Sequence, residues 1–402
     1  MINYPDYIRK ILYRLTAHGY KAYAVGGCVR DSVMGRVPHD WDVTSSALPE
    51  ETQAVFDADG WRVSVGNGLK HGTVTVYSAE LPHNGCEITT FRTEGTYSDH
   101  RRPDSVAFVR DVAQDLARRD FTMNAMAACP AFGDRKEEFI DLYGGVEDIR
   151  AGIVRCVRDP YERFGEDALR ILRGIRFAAR YGLTVEEKTA EAMVALAPTL
   201  REIAPERIGE ELRGILLGAD CGRQITRFGA VMQIILPRCG SEDAERLFPR
   251  VTDETERLAL LLAPCGEKEI YTTLVRYGFG VSTATRMKKL RALLGTPLVT
   301  RADLCRIADA LGKEDAQRYF AVRAALAGEN LDGEKARTLA LFEKGVCYNT
   351  ATLAVGGADL IAIGIPAGRE MGAVLKRLTE LAVAGETENE KEELLEIARG
   401  MR

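Results

Sequence analysis

Between residues 3 and 19 the apolar side chains Tyr7, Ile8, Ile11, Leu12 and Leu15 recur every three or four positions. That spacing predicts an amphipathic helix. The pattern then changes. Ala22-Tyr23-Ala24-Val25 is a short apolar run that ends on Gly26-Gly27, which predicts a buried strand feeding a tight turn. A helix over Val29–Met34 follows. Strand-like segments recur at Trp41–Thr44, Thr73–Tyr77, Glu87–Phe91, Val106–Val109 and Phe139–Asp141, with helices at Pro49–Asp57 and Ala113–Leu116 among them. A Gly144-Gly145 turn closes this mixed region near residue 150.

Beyond residue 155 the apolar spacing is helical to the end. Tyr161–Tyr181, Val185–Leu196, Pro205–Leu217, Arg223–Ile235, Glu254–Leu262, Ile270–Tyr277, Ser282–Leu294, Arg301–Leu311 and Asp315–Ala327 all read as helices, separated by Gly, Pro and Asn/Asp clusters. The expectation is an α+β head followed by a long all-α region, with no internal repeat.

Composition narrows the class. A chain of 402 residues suffices for two to four compact units. Apolar residues at 46% and charged residues at 28% exclude wholesale disorder. No apolar run reaches the roughly 18 residues of a membrane span, and the first residues lack a secretory apolar core, so no membrane and a cytoplasmic location are expected. None of the nine cysteines lies in a C-x-x-C, which excludes a zinc ribbon or redox motif and predicts reduced, buried thiols. All five histidines fall within the first 100 residues, so no histidine-based metal site or triad lies downstream. The net charge of −5 hides a basic segment: residues 155–180 hold seven arginines against four acids. An acidic protein can still carry a basic groove for nucleotides or nucleic acid.

Three constellations carry chemistry. The first is Gly26-Gly27-x-Val29-Arg30-Asp31, followed by Asp40-Trp41-Asp42. A strand that ends in two glycines lets backbone amides approach a triphosphate. On a strand, residues i and i+2 share a face, so Asp40 and Asp42 can share divalent metal while Trp41 packs the other way. Paired carboxylates suit two-metal phosphoryl transfer, and Glu87 on another strand is a candidate third ligand. Either part alone is an ordinary turn or a solvated pair; in this order and spacing they point to a nucleotidyltransferase. The second is Arg118-Arg119-Asp120-Phe121-Thr122, whose arginine pair can clamp phosphate or ribose. The third is Glu166-Asp167-Ala168-Leu169-Arg170, continuing to Arg173 and Arg176. On one helix Asp167 and Arg170 are neighbours across a turn, and the plain reading is a surface ion pair.

A sharper reading exists. A carboxylate beside a guanidinium offers an acceptor beside a donor. That matches the edges of cytosine and adenine and mismatches guanine and uracil. A wrong base would leave buried charge unpaired, at about 1–3 kcal/mol each.

These residues together resemble the class II tRNA nucleotidyltransferase / poly(A) polymerase family, most closely its bacterial CCA-adding branch. Gly26 to Asp31 with Asp40-Trp41-Asp42 is similar to the family's metal and triphosphate motif, Arg118 to Thr122 to its ribose motif, and Glu166 to Arg170 to its base-selecting motif. Ala204-Pro205-Glu206-Arg207-Ile208-Gly209-Glu210-Glu211-Leu212 is similar to its neck helix. The resemblance implies a polymerase-β-like nucleotidyltransferase head over 1–153, a neck over 154–220, a helical body over 221–330 and a tail over 331–402. It implies Asp40 and Asp42 as catalytic residues binding Mg2+, to which the reading of the strands adds Glu87 as a third metal ligand, and nucleotide contacts from Gly26, Gly27, Arg30, Arg119, Asp167, Arg170, Arg173 and Arg176. ATP, CTP and tRNA are the implied partners.

Within the family, a basic C-terminal extension would suggest a poly(A) polymerase; residues 331–402 carry 9 Lys and Arg against 12 Asp and Glu. The segment Phe91 to Pro103 resembles a complete flexible loop, which favours full CCA addition over CC-only or A-only addition. A silent RNA-binding protein or a small-molecule nucleotidyltransferase fits less well with the intact Asp40/Asp42 pair and the long helical region.

Overall fold

Alternation along Ala22–Val25 puts Ala22 and Ala24 on one side of the chain and Tyr23 and Val25 on the other, and all four are buried. In the computed structural model, which describes residues 2–57, 60–64, 72–81, 85–95 and 106–401, this segment is β1, the pivot of a seven-stranded sheet. The other members are β2 (Asp42–Ser45), β3 (Trp61–Ser64), β4 (Thr73–Ser78), β5 (Cys86–Thr90), β8 (Met126–Cys129) and β9 (Glu138–Asp141). Their order across the sheet is β3-β4-β5-β2-β1-β8-β9. Only β2 and β5 run parallel; the remaining neighbours are antiparallel. Between them, β6 (Arg92–Glu94) and β7 (Val106–Phe108) form a separate antiparallel ribbon.

Two helices cover one face. Ile8, Ile11, Leu12 and Leu15 of α1 (Asp6–Ala17) and Val55 and Phe56 of α3 (Pro49–Phe56) bury against Val43, Val74, Val76 and Ile88. At about 1.5–3 kcal/mol per buried aliphatic side chain, this layer is what holds β2 and β5 in place. The opposite face packs Tyr23, Val25 and Phe91 against Val112 and Leu116 of α4 (Val112–Ala117). The short helix α2 (Gly27–Val33) leaves the end of β1 directly.

The chain divides into two compact units, Met1–Ile235 and Leu236–Arg402. The first continues past the sheet through α5 (Gly145–Ala151), α6 (Pro160–Glu166), α7 (Leu169–Tyr181), α8 (Glu187–Leu196), α9 (Pro205–Leu216), α10 (Cys221–Arg227) and α11 (Gly229–Ile235). A small parallel pair, β10 (Ile153–Val154) with β11 (Thr184–Val185), ties the start of this region to the far end of α7. Gly174 lets α7 approach its neighbours: a Cβ there would meet Met193 Cε at 2.1 Å and Phe121 Cζ at 2.9 Å. The second unit is helical among its described residues, and its longest helix, Arg301–Ala327, is interrupted at Gly312 (φ 73°). The sequence pattern separates the same two segments, ending one at Leu311 and starting the next at Asp315.

Several expectations need correction. The helix expected over Tyr161–Tyr181 is two, because Asp167 is extended (φ −136°, ψ 101°) and its carboxylate accepts from the Leu169 amide at 3.1 Å, starting a new helix. The helix expected over Arg223–Ile235 also breaks, between Arg227 and Gly229. Strands β3 and β8 and helix α5 carry no strong pattern and are additions. Tyr97, Asp99, Arg101, Arg102 and Pro103 lie outside the described residues. All nine cysteines are buried thiols outside any disulfide. Among the described residues no helix is long and apolar enough to cross a membrane.

Candidate active site

Gly26, at the exit from β1, has φ 72° and ψ −126°, a conformation open to glycine and costly for other residues. The space beside it is also taken: a Cβ would lie 3.0 Å from Arg119 Nη1. The first two constellations, 90 residues apart in sequence, therefore meet at one point. Arg119 pairs with the fully buried Asp115 at 3.2 Å and donates to the Asn124 carbonyl at 3.4 Å. Its Nε is buried with no hydrogen-bond partner among the described residues. An arginine held by two anchors, with a donor unspent, is suited to receive an anion.

Next to this point Asp42 opens β2, opposite Val25 of β1. The parallel register Val43↔Ile88 sets Glu87 of β5 beside Asp42. Both are exposed, whereas Val43, Cys86 and Ile88 point into the core. Asp40 lies just before the strand, not within it. Trp41 is buried, its ring 5.7 Å from that of Tyr4, and Asp40 and Asp42 on either side are exposed. Asp40 lacks the regular strand geometry on which the expected i, i+2 pairing rests, although it is close enough to Asp42 to raise that carboxyl. Desolvation by the surrounding protein raises the Asp42 carboxyl above the ordinary carboxylate range; Glu87 adds to that, Arg119 opposes it and Asp40 raises it again. With Glu87 and Asp40 both acting on Asp42, the three carboxylates offer hard, oxygen-only donors of the kind divalent cations take. Among the described residues no group of three or more histidine, cysteine, aspartate or glutamate side chains is placed to hold a metal ion by itself. The donor set fits a cation in its chemistry, with further oxygens needed from elsewhere.

The other predicted residues sit in a network of ion pairs. Arg30 is buried; its guanidinium reaches Asp31 at 2.8 Å and Asn124 Oδ1 at 2.7 Å and lies over the Phe177 and Tyr181 rings. Arg173 pairs with Asp120 at 2.7 Å, and Arg176 with Glu211 at 2.7 Å. Burial alone would push the Asp120 carboxyl up, but Arg173, Asn124 Nδ2 and the Phe121 amide hold it down at about 2. Burial raises the Glu211 carboxyl, with Arg176 and Arg173 opposing.

The expected Asp167–Arg170 pair across one helical turn is not formed. Asp167 stands in the break between α6 and α7 and pairs with Arg207 of α9 at 3.3 Å. Arg170, at the start of α7, pairs with Glu166 at 2.7 Å and donates to the carbonyls of Arg163 (2.9 Å) and Arg118 (3.3 Å). The last bond joins the Glu166–Arg170 segment to the Arg118–Thr122 segment. Sequence reasoning did not assign roles to Asp115, Asn124, Glu166, Arg207 and Glu211. Three of these lie inside segments already singled out; Asp115 and Glu166 stand one helical turn before Arg119 and Arg170, a local spacing that could have found them, whereas Arg207 and Glu211 meet their partners only after folding.

A family model described as the poly A polymerase head domain matches residues 22–155. Another, described as the probable RNA and SrmB-binding site of polymerase A, matches residues 182–227. A CCA-adding enzyme of Leuconostoc mesenteroides is 35% identical over 97% of this chain and 94% of its own length. One of Geobacillus kaustophilus is 36% identical over 96% and 94%. The crystal structure of the Bacillus stearothermophilus CCA-adding enzyme in complex with CTP matches with a TM-score of 0.75 at 33% identity, over 98% of this chain and 97% of that one. The likeness is near full length in sequence and in fold, so this chain belongs to the CCA-adding enzyme family.

Proposed function

We propose how this chain performs the activity of its family, the addition of C, C and A to the 3′ end of tRNA from CTP and ATP with release of pyrophosphate. The observation that carries the reading is the meeting of Arg119, Gly26 and Asp42 at the end of β1. Gly26, Gly27 and Arg119 cradle the triphosphate, the unspent Arg119 Nε supplying one donor. Asp40, Asp42 and Glu87 would hold divalent metal, with Mg2+ the candidate that hard carboxylate donors favour. When bound, such a cation neutralises developing charge and assists deprotonation of the attacking hydroxyl. The terminal RNA hydroxyl attacks the α-phosphorus, and the bond to pyrophosphate breaks.

Asp167 and Arg170 read the base, with Arg30, Arg173 and Arg176 fixing α2 and α7 around it through their acid partners. To present acceptor beside donor, Asp167 must leave Arg207 and Arg170 must leave Glu166. Cytosine and adenine compensate for both lost pairs. Guanine and uracil place like beside like and compensate for neither. The division into head (1–153), neck (154–220), body (221–330) and tail (331–402), and a cytoplasmic setting, belong to the same reading.

The test is direct. The chain is incubated with Mg2+ and tRNA lacking its last three nucleotides, each nucleoside triphosphate is offered singly and together, and products are sized. CTP alone gives +2 and CTP with ATP gives +3. Addition that stops at +2 with both present, or runs on with ATP alone, overturns full CCA addition.

A further inference from the structure

Tyr181 ends α7, and three guanidiniums face its ring: Arg30 at 4.8 Å, Arg36 at 5.0 Å and Arg180 at 5.4 Å from the ring centre. Phe177 stacks on Tyr181 at 6.4 Å and 20°, and Arg173 and Arg176 lie over Phe177. The arginines near Phe177 have acids, Asp120 and Glu211. Those around Tyr181 do not balance. The one carboxylate there is Asp31, which already takes Arg30 at 2.8 Å and the Tyr181 hydroxyl at 3.1 Å. Arg36 and Arg180 are exposed and have no carboxylate partner among the described residues. Cation–π contact at exposed sites contributes only about 0.5–1 kcal/mol and does not cancel like charges brought to one ring.

The position of the cluster limits what completes it. Arg36 is four residues before Asp40, so their Cα atoms are at most about 14 Å apart. An RNA strand whose last hydroxyl lies at Asp40 and Asp42 brings its preceding phosphates within that radius. Tyr181 is eleven residues along α7 from Arg170, roughly 16 Å at the helical rise, so the cluster is separate from the base-reading end. Phosphate oxygens are the partner that a forked, unspent guanidinium pair recognises.

We infer that Arg36 and Arg180, set over Tyr181, form a backbone-binding site for the RNA strand next to its growing 3′ end. The inference rests on the proposed function. Because the contact is to phosphate, it acts on every tRNA alike and carries no sequence preference.

The experiment measures the affinity of the full chain for tRNA lacking its 3′ CCA at several salt concentrations, for wild type, R36A/R180A and R36K/R180K. CTP affinity without tRNA is measured in parallel. The alanine pair is expected to weaken tRNA binding about tenfold at low salt and to make the slope of log K against log salt shallower by about 1 to 2. CTP affinity stays within twofold, and the lysine pair recovers most of the loss. Unchanged tRNA affinity and slope in the alanine pair overturns the site, as does a lysine pair as weak as the alanine pair. If the alanine pair also loses CTP binding, R180Q at the exposed end of α7 decides, with a slope change about half as large expected and none overturning the site. Failure of the wild type to bind tRNA would instead remove the proposed function.

Discussion

Two groups of carboxylates in the first unit are built on opposite terms. At the start of β2 and on β5, Asp40, Asp42 and Glu87 are exposed; Glu87 and Asp40 both raise the Asp42 carboxyl, and Arg119 opposes them. Around α7, by contrast, Asp120, Glu211 and Asp167 each hold an arginine at 2.7–3.3 Å. The protein settles the second group by itself and leaves the first to be settled by a ligand. On the proposed function, that division separates residues that mainly serve chemistry from those that mainly serve the fold and its selectivity.

The largest expected effect breaks the first group. Asp42→Asn should lower nucleotide incorporation on the order of a thousandfold, since the metal contribution is several kcal/mol. Its melting temperature should hold or rise, because a repelling charge is gone. Labelled-nucleotide incorporation and thermal melts check this, and a large fall in melting temperature would assign Asp42 to the fold instead.

Asp120→Asn should do the reverse to stability, costing about 3–5 kcal/mol because Arg173 loses its buried counter-ion. Denaturant midpoints measure it. The same residue gives a pH signature. Its folded carboxyl titrates at about 2, below the usual unfolded value near 3.9. Its contribution is therefore complete above about pH 5 and falls away as pH drops from 4 towards 2. Nearly two units correspond to roughly 2.5 kcal/mol. Unfolding free energies between pH 5 and pH 2 should show that limb in wild type and lack it in Asp120→Asn.

The smallest effect sharpens the comparison at Asp167, whose pair with Arg207 is partly exposed. Arg207→Gln should change stability by under about 1 kcal/mol. Asp167→Ala should raise UTP and GTP incorporation relative to CTP about 10- to 100-fold, the value of one unpaired buried group. Single-turnover incorporation of each nucleotide tests this; unchanged rejection of UTP and GTP would sink the base-reading role.

The difference between these groups also explains what could be read from the chain. Regular apolar spacing located β1 and the helix Glu254–Leu262 at their observed bounds, and α1 to within three residues. Met126–Cys129 escaped because a strand buried on both faces, built partly of alanine, has no alternation to detect. The break at Asp167 escaped because Asp167, with no Pro to announce it, caps α7 through its own carboxylate. The Asp40 and Asp42 pair stood out since i, i+2 spacing is local. The partners Arg207 and Glu211 did not, since each arrives from a distant segment.

The burial of all nine thiols has a practical consequence. Five of them, Cys28, Cys86, Cys129, Cys156 and Cys221, lie in the first unit, and Cys239, Cys265, Cys305 and Cys347 in the second. Burial raises Cys28 to about 12 and Cys265 to about 11, so little thiolate exists at neutral pH in the folded chain. A thiol-labelling reagent therefore acts as a clock for local opening, and mass spectrometry of timed samples would report which half of the molecule loosens first.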